Sequence, residues 1–501
     1  MSFFRPIRKK FNLGEKNSDR RDSKENMSNQ SDFKKAAELA LREAVNWRAD
    51  GVKLPAIPTA SKEELRALFD GELAETGIDG VAVIEQLIEA AENGLVNNTH
   101  PNFYSWVQGS SHPVGVAADI LTSAWGQNAG IYQTAPAAAV AEEVAAKWLL
   151  EILRLPQSSS LAFVTGATMA SFICLAAARS EALRRHDYDL EEEGMSNAPA
   201  IHIFLGGEAH ATILSDLRYL GFGRNNLVFI DVDDQGRMLS DALRKQMDSF
   251  EGPKIVIAQA GHINSGAFDP FDEITDIAAT HNAWVHVDGA FGLWANAVPE
   301  LTELCAGIEK ADSWTVDGHK WLQVPYDSGF AIVKHPAAHI RAMNITASYL
   351  VRDEGDGRNP SQYSPELSRR SRGFVVWAVL KALGKQGVQE LVARHCRCAR
   401  HLQSQLAEIP GIRILNEVQL NQLAIAFGDG NSIEEGDRLT NEVINEIRSE
   451  NTNFVLGARW KDQAILRISI ISLYTDIEHM DNLADSIIRA WSKVNSHNQG
   501  N

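Results

Sequence analysis

Between residues 161 and 333 the chain repeats one pattern: a short apolar run ends in a turn, and a longer segment with helical spacing follows. The runs are Leu161–Val164, Ala200–Leu205, Leu227–Ile230, Lys254–Gln259, Trp284–Asp288, Asp312–Val316 and Gly329–Val333. Continuous apolar runs of this length are those of strands buried on both faces. Strands that alternate with helices build a mainly parallel sheet, so the spacing predicts an α/β domain around seven strands.

Upstream the period is helical throughout. Phe33, Ala37, Leu41 and Val45 recur every four residues across Ser31–Trp47. Ser61 and Glu64 form a capping-box pattern ahead of Leu65, Leu68 and Phe69, and a third helix over Val81–Asn93 stops at Gly94. These helices have stripes and no core of their own, so they are expected to pack on something else, a second subunit being the natural choice. His100 to Trp106 is aromatic-rich and runs into a glycine and two serines up to Ser111, as a core-lining loop does, and Ala137–Leu153 is a long helix. After Phe374 the pattern is a helix through Leu383, another over Val388–Leu406, strands at Ile412–Leu415, Leu423–Phe427 and Leu466–Ile470, and a closing helix over Ile477–Val494. The expected organisation is a disordered tail over 1–30, a helical segment over 31–112, a large domain over 113–377 and a small α+β domain over 378–501.

Composition narrows this only a little. The chain has 501 residues, 44% hydrophobic and 23% charged, which is the make-up of a globular protein long enough for more than one core. A net charge of −17 argues against nucleic acid as a general partner. No run of eighteen apolar residues offers a membrane span. The first thirty residues mix basic and acidic side chains and lack the apolar core of a secretory signal. Cys174, Cys305, Cys396 and Cys398 are too few and too unevenly placed for a disulfide framework or a metal site, and a reduced, cytosolic, metal-free protein is the simpler reading.

The polar residues at the strand ends change the picture more. After Leu161–Val164, the turn Thr165-Gly166-Ala167-Thr168 opens a helix whose free N–H groups and dipole suit a phosphate. After Ala200–Leu205, Glu208-Ala209-His210 opens another and sets an imidazole over the sheet's edge. Trp284–Asp288 ends in a carboxylate, the partner a pyridine nitrogen needs if pyridoxal phosphate is to act as an electron sink. Asp312–Val316 delivers Asp317-Gly318-His319-Lys320-Trp321, a glycine turn closed by tryptophan, and Lys320 there reads as a Schiff-base lysine. Singly, each has a plain explanation: a solvated cation, a helix cap, a core histidine, an ordinary strand-to-helix turn. Together they follow one order, phosphate turn, histidine, aspartate, lysine, each at a strand's carboxyl end, where open α/β sheets bind ligands.

From roughly Thr99 to its end, the chain resembles the group II pyridoxal-phosphate decarboxylases. That family includes aromatic-amino-acid, histidine and glutamate decarboxylases and has the aspartate-aminotransferase fold, fold type I of the pyridoxal-phosphate enzymes. His286-Val287-Asp288-Gly289-Ala290 and the stretch from Asp312-Ser313 through His319-Lys320-Trp321 are similar to its two signature stretches nearly residue by residue. The resemblance implies that Lys320 holds pyridoxal 5'-phosphate, that Asp288 keeps the ring nitrogen protonated, and that Ala290 and His210 pack on the two faces of the ring. It implies that Ala167, Thr168 and His319 bind the phosphate, with Ser368 reaching it across a homodimer interface. Thr346-Ala347-Ser348-Tyr349-Leu350 is similar to the family's catalytic loop, whose tyrosine protonates the carbon that has lost carbon dioxide, and Val351–Gln362 is composed like a flexible lid. The implied activity is that of a lyase converting an L-amino acid to its amine, with Lys320, His210, Tyr349 and Asp288 as the catalytic set.

The chain also departs from the family. Where aromatic-amino-acid decarboxylases line the substrate pocket with bulky apolar residues, it carries Val107, Asn128 and Gly130 while keeping an aromatic at Trp106. His262 stands where they have a threonine near the ring hydroxyl, so a wider, more polar pocket is expected. Asp317 stands where they have a neutral asparagine near the phosphate, and a carboxylate there should face away or be neutralised by a neighbour. The rival readings are an aldehyde synthase, which in the family tends to have phenylalanine in place of Tyr349, another reaction on the same fold such as aldol cleavage or transamination, and a cofactor-free scaffold, which an intact Lys320, Asp288 and His210 oppose.

Overall fold

The computed structural model describes residues 20–51, 53–345 and 357–499. Two compact units are formed, one ending at Val96 and one beginning at Asn97. The first contains α1 (Arg20–Asp50), α2 (Lys62–Phe69) and α3 (Gly80–Ala91). The capping box of α2 is made in both directions: the Glu64 amide donates to the Ser61 hydroxyl at 3.2 Å, and the Ser61 amide donates to the Glu64 carboxylate at 2.7 Å. Helix α1 starts at Arg20, inside the segment expected to be a disordered tail, because Arg20–Gln30 contains no proline or glycine to stop it. As the stripes suggested, α2 buries none of its residues and α3 buries only Ala90.

The second unit continues with α4 (Pro113–Trp125), α5 (Pro136–Ile152), β1 (Ser160–Val164), α6 (Ala167–Arg184), the single turn α7 (Leu190–Glu193), β2 (His202–Gly206), α8 (Ala211–Tyr219) and β3 (Leu227–Ile230). It goes on through α9 (Ser240–Asp248), β4 (Lys254–Gln259), α10 (Phe271–Thr280), β5 (Trp284–Asp288), β6 (Ser313–Asp317), β7 (Gly329–Val333) and α11 (Pro336–Met343). These seven strands form one sheet in the order β1-β7-β6-β5-β4-β2-β3, parallel from β6 to β3, with β7 antiparallel to both β6 and β1. Strands β1, β2, β4, β5 and β6 therefore all end along one edge.

Both faces of this sheet are covered. Helices α6, α8 and α11 close one core with Ile203, Leu205, Ile257 and Trp284, and α5, α9, α10 and the helix after Ser371 close the other with Phe163, Phe204, Val287 and Trp314. Strands β5 and β6 are buried from end to end, and their valines and tryptophans fill the cores beside them. Their internal polar groups pair locally: the Trp284 indole donates to the Ser313 hydroxyl at 2.9 Å, and His286 Nδ1 lies 3.0 Å from the same oxygen. Beneath the end of β1, the buried Glu142 of α5 receives Arg369 at 2.7 Å and Arg358 at 2.9 Å, and Arg369 also donates to the carbonyls of Ala129 and Phe163.

Helix α12 (Arg372–Leu406) bends at Gly384, whose φ of 61° joins the two helices the sequence predicts. Beyond it, β8 (Ile412–Ile414), β9 (Gln422–Phe427), α13 (Ile433–Ser449), β10 (Leu456–Trp460), β11 (Gln463–Ser469) and α14 (Ile477–Gln499) form a four-stranded antiparallel sheet, ordered β10-β11-β9-β8, with its own core. The division of the chain differs from the expected one. It falls after Val96 and not after 112, and residues 378–501 stay in one unit with the large sheet because α12 packs on α4 and α5 as well as on α14.

Candidate active site

The strand ends enclose a cavity of about 260 Å³. Gly166, Ala167 and Thr168 come to it from the end of β1, His210 from β2, Gln259 from β4, Asp288 and Ala290 from β5, and Asp317, His319 and Lys320 from β6. Residues up to 154 positions apart in the chain, from Gly166 to Lys320, thus meet because parallel strands present their carboxyl ends together.

At the β1 end, Gly166 begins α6 without any side-chain cap, which leaves the first amides of the helix to an anion. Glycine is required on the neighbouring strand too, since a Cβ on Gly329 would lie 2.5 Å from the Gly166 Cα. The Ala167 amide donates to Asp317 Oδ1 at 2.6 Å, and Asp317 Oδ2 lies 2.9 Å from the Lys320 ammonium. Asp317 is only 2% exposed, so the neutralising neighbour expected for it is Lys320. His319 Nε2 is 3.6 Å from Asp317, its Nδ1 accepts from the Ser328 amide at 3.2 Å, and its ring stacks on Tyr326 at 4.3 Å. Burial lowers the pKa of His319 below the usual imidazole value, against the pull of Asp317.

His210 caps α8, its Nδ1 accepting from the Thr212 amide at 3.3 Å, which puts the proton of the neutral ring on Nε2. Burial holds His210 below its ordinary pKa, opposed by Asp288. Asp288 is itself buried at the end of β5 with Oδ1 accepting from the Ala290 amide at 3.2 Å, and burial pushes its carboxyl up while His210 and Lys320 pull it down. A carboxylate in such a place is stable only beside a cation. The sequence reading missed Asp216 of α8, which is fully buried, has neither oxygen hydrogen-bonded, and is pushed up to about 7 by burial and then by Asp288.

The lysine turn is braced by residues the sequence did not single out. Gly109 lets the loop after Trp106 approach: its amide donates to the His319 carbonyl at 3.1 Å, and a Cβ there would sit 2.3 Å from the Lys320 carbonyl oxygen. The Gln323 amide donates to that same carbonyl at 3.2 Å while its oxygen accepts from the Ser110 amide at 2.7 Å. Trp321 donates from Nε1 to His395 Nδ1 at 3.0 Å, and the other ring nitrogen of His395 meets the Ser472 carbonyl at 3.0 Å, tying the turn to α12 and the C-terminal segment. The Trp294 indole donates to the Asp317 carbonyl at 3.1 Å. The glycine and serines after Trp106 were the visible signal of this close approach.

Other expected site residues lie elsewhere. His262 is buried but turned to Glu208, 3.0 Å away, instead of lining the cavity, because Glu208 offers a carboxylate and the His262 Nδ1 already caps the Asn264 amide. Trp106 is half-exposed and packs against Phe103 and Phe454, and Val107 belongs to the core of the large sheet. Asn128 accepts from the Arg369 amide at 2.9 Å. Gly130 packs on the Leu367 carbonyl, which a Cβ would approach to 2.0 Å, and Ser368 is exposed. None of these five lines the cavity of this chain. Tyr349 lies outside the described residues.

Comparison with known proteins bears on this geometry. The family described as "Pyridoxal-dependent decarboxylase conserved domain" matches residues 63–427. Aromatic-L-amino-acid decarboxylase from Bacillus atrophaeus is 27% identical over 439 residues, which cover 85% of this chain and 88% of that protein. Acidic amino acid decarboxylase GADL1 from Mus musculus is 27% identical over 478 residues, covering 90% and 86%. Among solved structures, Oryza sativa TDC with PLP and tryptamine superposes with a TM-score of 0.86 at 20% identity, over 92% of this chain and 98% of that one, a likeness of fold.

Proposed function

Because the chain belongs to the pyridoxal-dependent decarboxylase family, with pyridoxal phosphate as its cofactor, we propose that this carboxy-lyase converts an L-amino acid to its amine at the cavity between the strand ends. The observation that carries the reading is the convergence of a helix N-terminus whose own N-cap residue is a glycine, a neutral imidazole, a buried carboxylate and a lysine on one small cavity. The residues fit the group: the Gly166 turn suits a phosphate, Lys320 an aldehyde, and Asp288 lacks only the cation that its burial calls for.

When bound, the cofactor supplies the electron sink for the carbanion left by carbon dioxide. Lys320, the amine lining the cavity, would hold it. Ala167 and Thr168 at the α6 N-terminus would receive the phosphate, with His319 beside them. Asp288 would be the carboxylate facing its ring nitrogen, and His210 and Ala290, which line the same cavity, would pack on the ring. Relatives with aromatic and with acidic substrates are equally similar to this chain, so identity does not select the substrate. A screen of amino acids for carbon dioxide release by the cofactor-loaded protein tests the proposal, and release from none of them would overturn it.

Tyr349 is the proposed acid that protonates Cα. A positioned acid typically contributes roughly 10²–10⁴-fold, so Tyr349→Phe should slow amine formation on that order, and aldehyde, ammonia and peroxide should replace part of the amine in air. Product analysis of both proteins decides this. Unchanged amine output from the variant would move the role to His210 or His262.

The smallest active unit is proposed to be a homodimer. Phe33, Phe69 and Leu73 of the first unit and Leu121 and Trp125 of the second are exposed, apolar surface of the kind an interface covers. A second chain would also explain why the exposed Trp106, Asn128 and Ser368 do not line the cavity of their own chain. Sedimentation at micromolar concentration reads the state, and a fully active monomer would refute it. The four cysteines are buried thiols, which supports a reducing compartment, the cytosol. Cell fractionation that found the chain elsewhere would exclude this.

A further inference from the structure

The geometry points to Asp317 as a built-in counter-anion of the cofactor site: its carboxylate binds both the Lys320 ammonium and the α6 N-terminus, the two groups a phosphorylated aldehyde must engage. It thereby weakens cofactor uptake and holds the Lys320 amine in an ion pair until a stronger anion displaces it. This rests on the reading of Lys320 and the Gly166 turn as the cofactor site.

Asp317 Oδ1 takes the Ala167 amide at 2.6 Å and Oδ2 takes Lys320 at 2.9 Å. Removed from water, both contacts are worth more than the same pair on a surface. The residue cannot swing far. Its amide donates to the Ala290 carbonyl at 2.9 Å, its carbonyl accepts from Trp294, and its backbone pairs with Gly329 across the sheet. On the facing turn, a Cβ on Gly166 would come within 3.4 Å of Oδ1, so the space beside the carboxylate is narrow. The other titratable groups around Asp317 are His319 and Tyr326 on its own side and Asp288 and His210 from β5 and α8. Lys320 is the sole ammonium or guanidinium lining the cavity among the described residues, so a phosphate arriving at α6 competes with Asp317 for one cation and one helix end. An amide at 317 would keep the hydrogen bond to neither amide nor lysine as an anion does, and would leave both to the phosphate.

The test compares cofactor-stripped wild type with Asp317→Asn. Calorimetry measures binding of inorganic phosphate and of pyridoxamine 5'-phosphate, neither of which can condense with a lysine. Labelling with an amine-acylating reagent followed by peptide mapping measures the reactivity of Lys320. The variant should bind both probes roughly tenfold more tightly and label at Lys320 several-fold faster than wild type. Equal or weaker probe binding by the variant, or an unchanged labelling rate, overturns the inference. Asp317→Ser serves if the amide variant does not fold, with the same outcomes expected. Borohydride reduction of wild type with pyridoxal phosphate separates this from the underlying reading: label absent from Lys320 removes the cofactor site itself, whereas label on Lys320 with unaltered phosphate affinity removes only the role of Asp317.

Discussion

Lys320→Ala should abolish covalent retention of pyridoxal phosphate and lower amine formation by roughly 10⁴-fold or more, the range that tethering a reacting group in place is worth. The lysine stands at the end of β6 on a turn held from three sides, by Gly109, by Gln323 and through Trp321 by His395, so removing its amine leaves the turn intact. It does leave the buried Asp317 without its cation, and breaking a buried ion pair costs about 3–5 kcal/mol. The melting temperature should fall with the activity. The double variant Lys320→Ala with Asp317→Asn removes both charges and should recover most of the stability and none of the activity, which separates the chemical role of the lysine from its structural one. Dialysis followed by absorbance reads cofactor retention. A Lys320→Ala protein that kept the cofactor through dialysis and released carbon dioxide at the wild-type rate would place the chemistry on another residue.

The large sheet was legible because its central strands are buried on both faces, and Trp284–Asp288 and Ser313–Asp317 advertise this as short runs rich in tryptophan and valine. The site was legible for the same reason: a polar residue closing such a run, as at Asp288 or Asp317, has to stand at a strand's end, and His210 follows its strand within a short turn. Strand β10 was not legible. Its sequence, Leu456-Gly457-Ala458-Arg459-Trp460, is half-exposed and interrupted by glycine, and the turn that joins it to β11 uses Lys461 and Asp462 at φ 53° and 60°, positive values that an Asn-Gly pair would have announced.

Residues that depend on contacts between distant segments were misplaced or missed. His262 follows a strand as His210 does, but its imidazole is claimed by Glu208, fifty-four positions earlier, and nothing local to either residue records that pairing. The same holds for His395 beneath Trp321 and for Asp216 beside Asp288, where a polar residue in a helical stripe gives no sign of what it will face. Asp317 is intermediate. Its departure from the family's asparagine was visible in the sequence, while the answer, a lysine three residues on and an amide from β1's turn, required the fold.

Asp288→Asn should cost roughly 10²–10³-fold in the rate of amine formation, the range for removing one preorganised electrostatic partner, while leaving Lys320 able to take up the cofactor. The substitution keeps the shape and the hydrogen bond from Ala290, and β5 is fixed in register with β4 and β6 at this position, so the change is close to one of charge alone. Burial already disfavours the carboxylate at Asp288, and only a cation held against it makes its charge stable. That reciprocity is the physical content of its proposed role: the carboxylate that is unfavourable alone becomes favourable next to a protonated ring nitrogen, and an amide has no charge to return. Asp216→Asn is the necessary companion, since Asp216 is, with Asp317, a buried acid coupled to Asp288. It should change the rate by less than about tenfold, because a second carboxyl behind the first acts only through it. Initial rates with the best substrate, together with borohydride trapping on Lys320 in both variants, decide the matter. If Asp288→Asn stayed within tenfold of wild type and Asp216→Asn did not, the partner of the ring nitrogen would be Asp216, and the end of β5 would be a structural carboxylate.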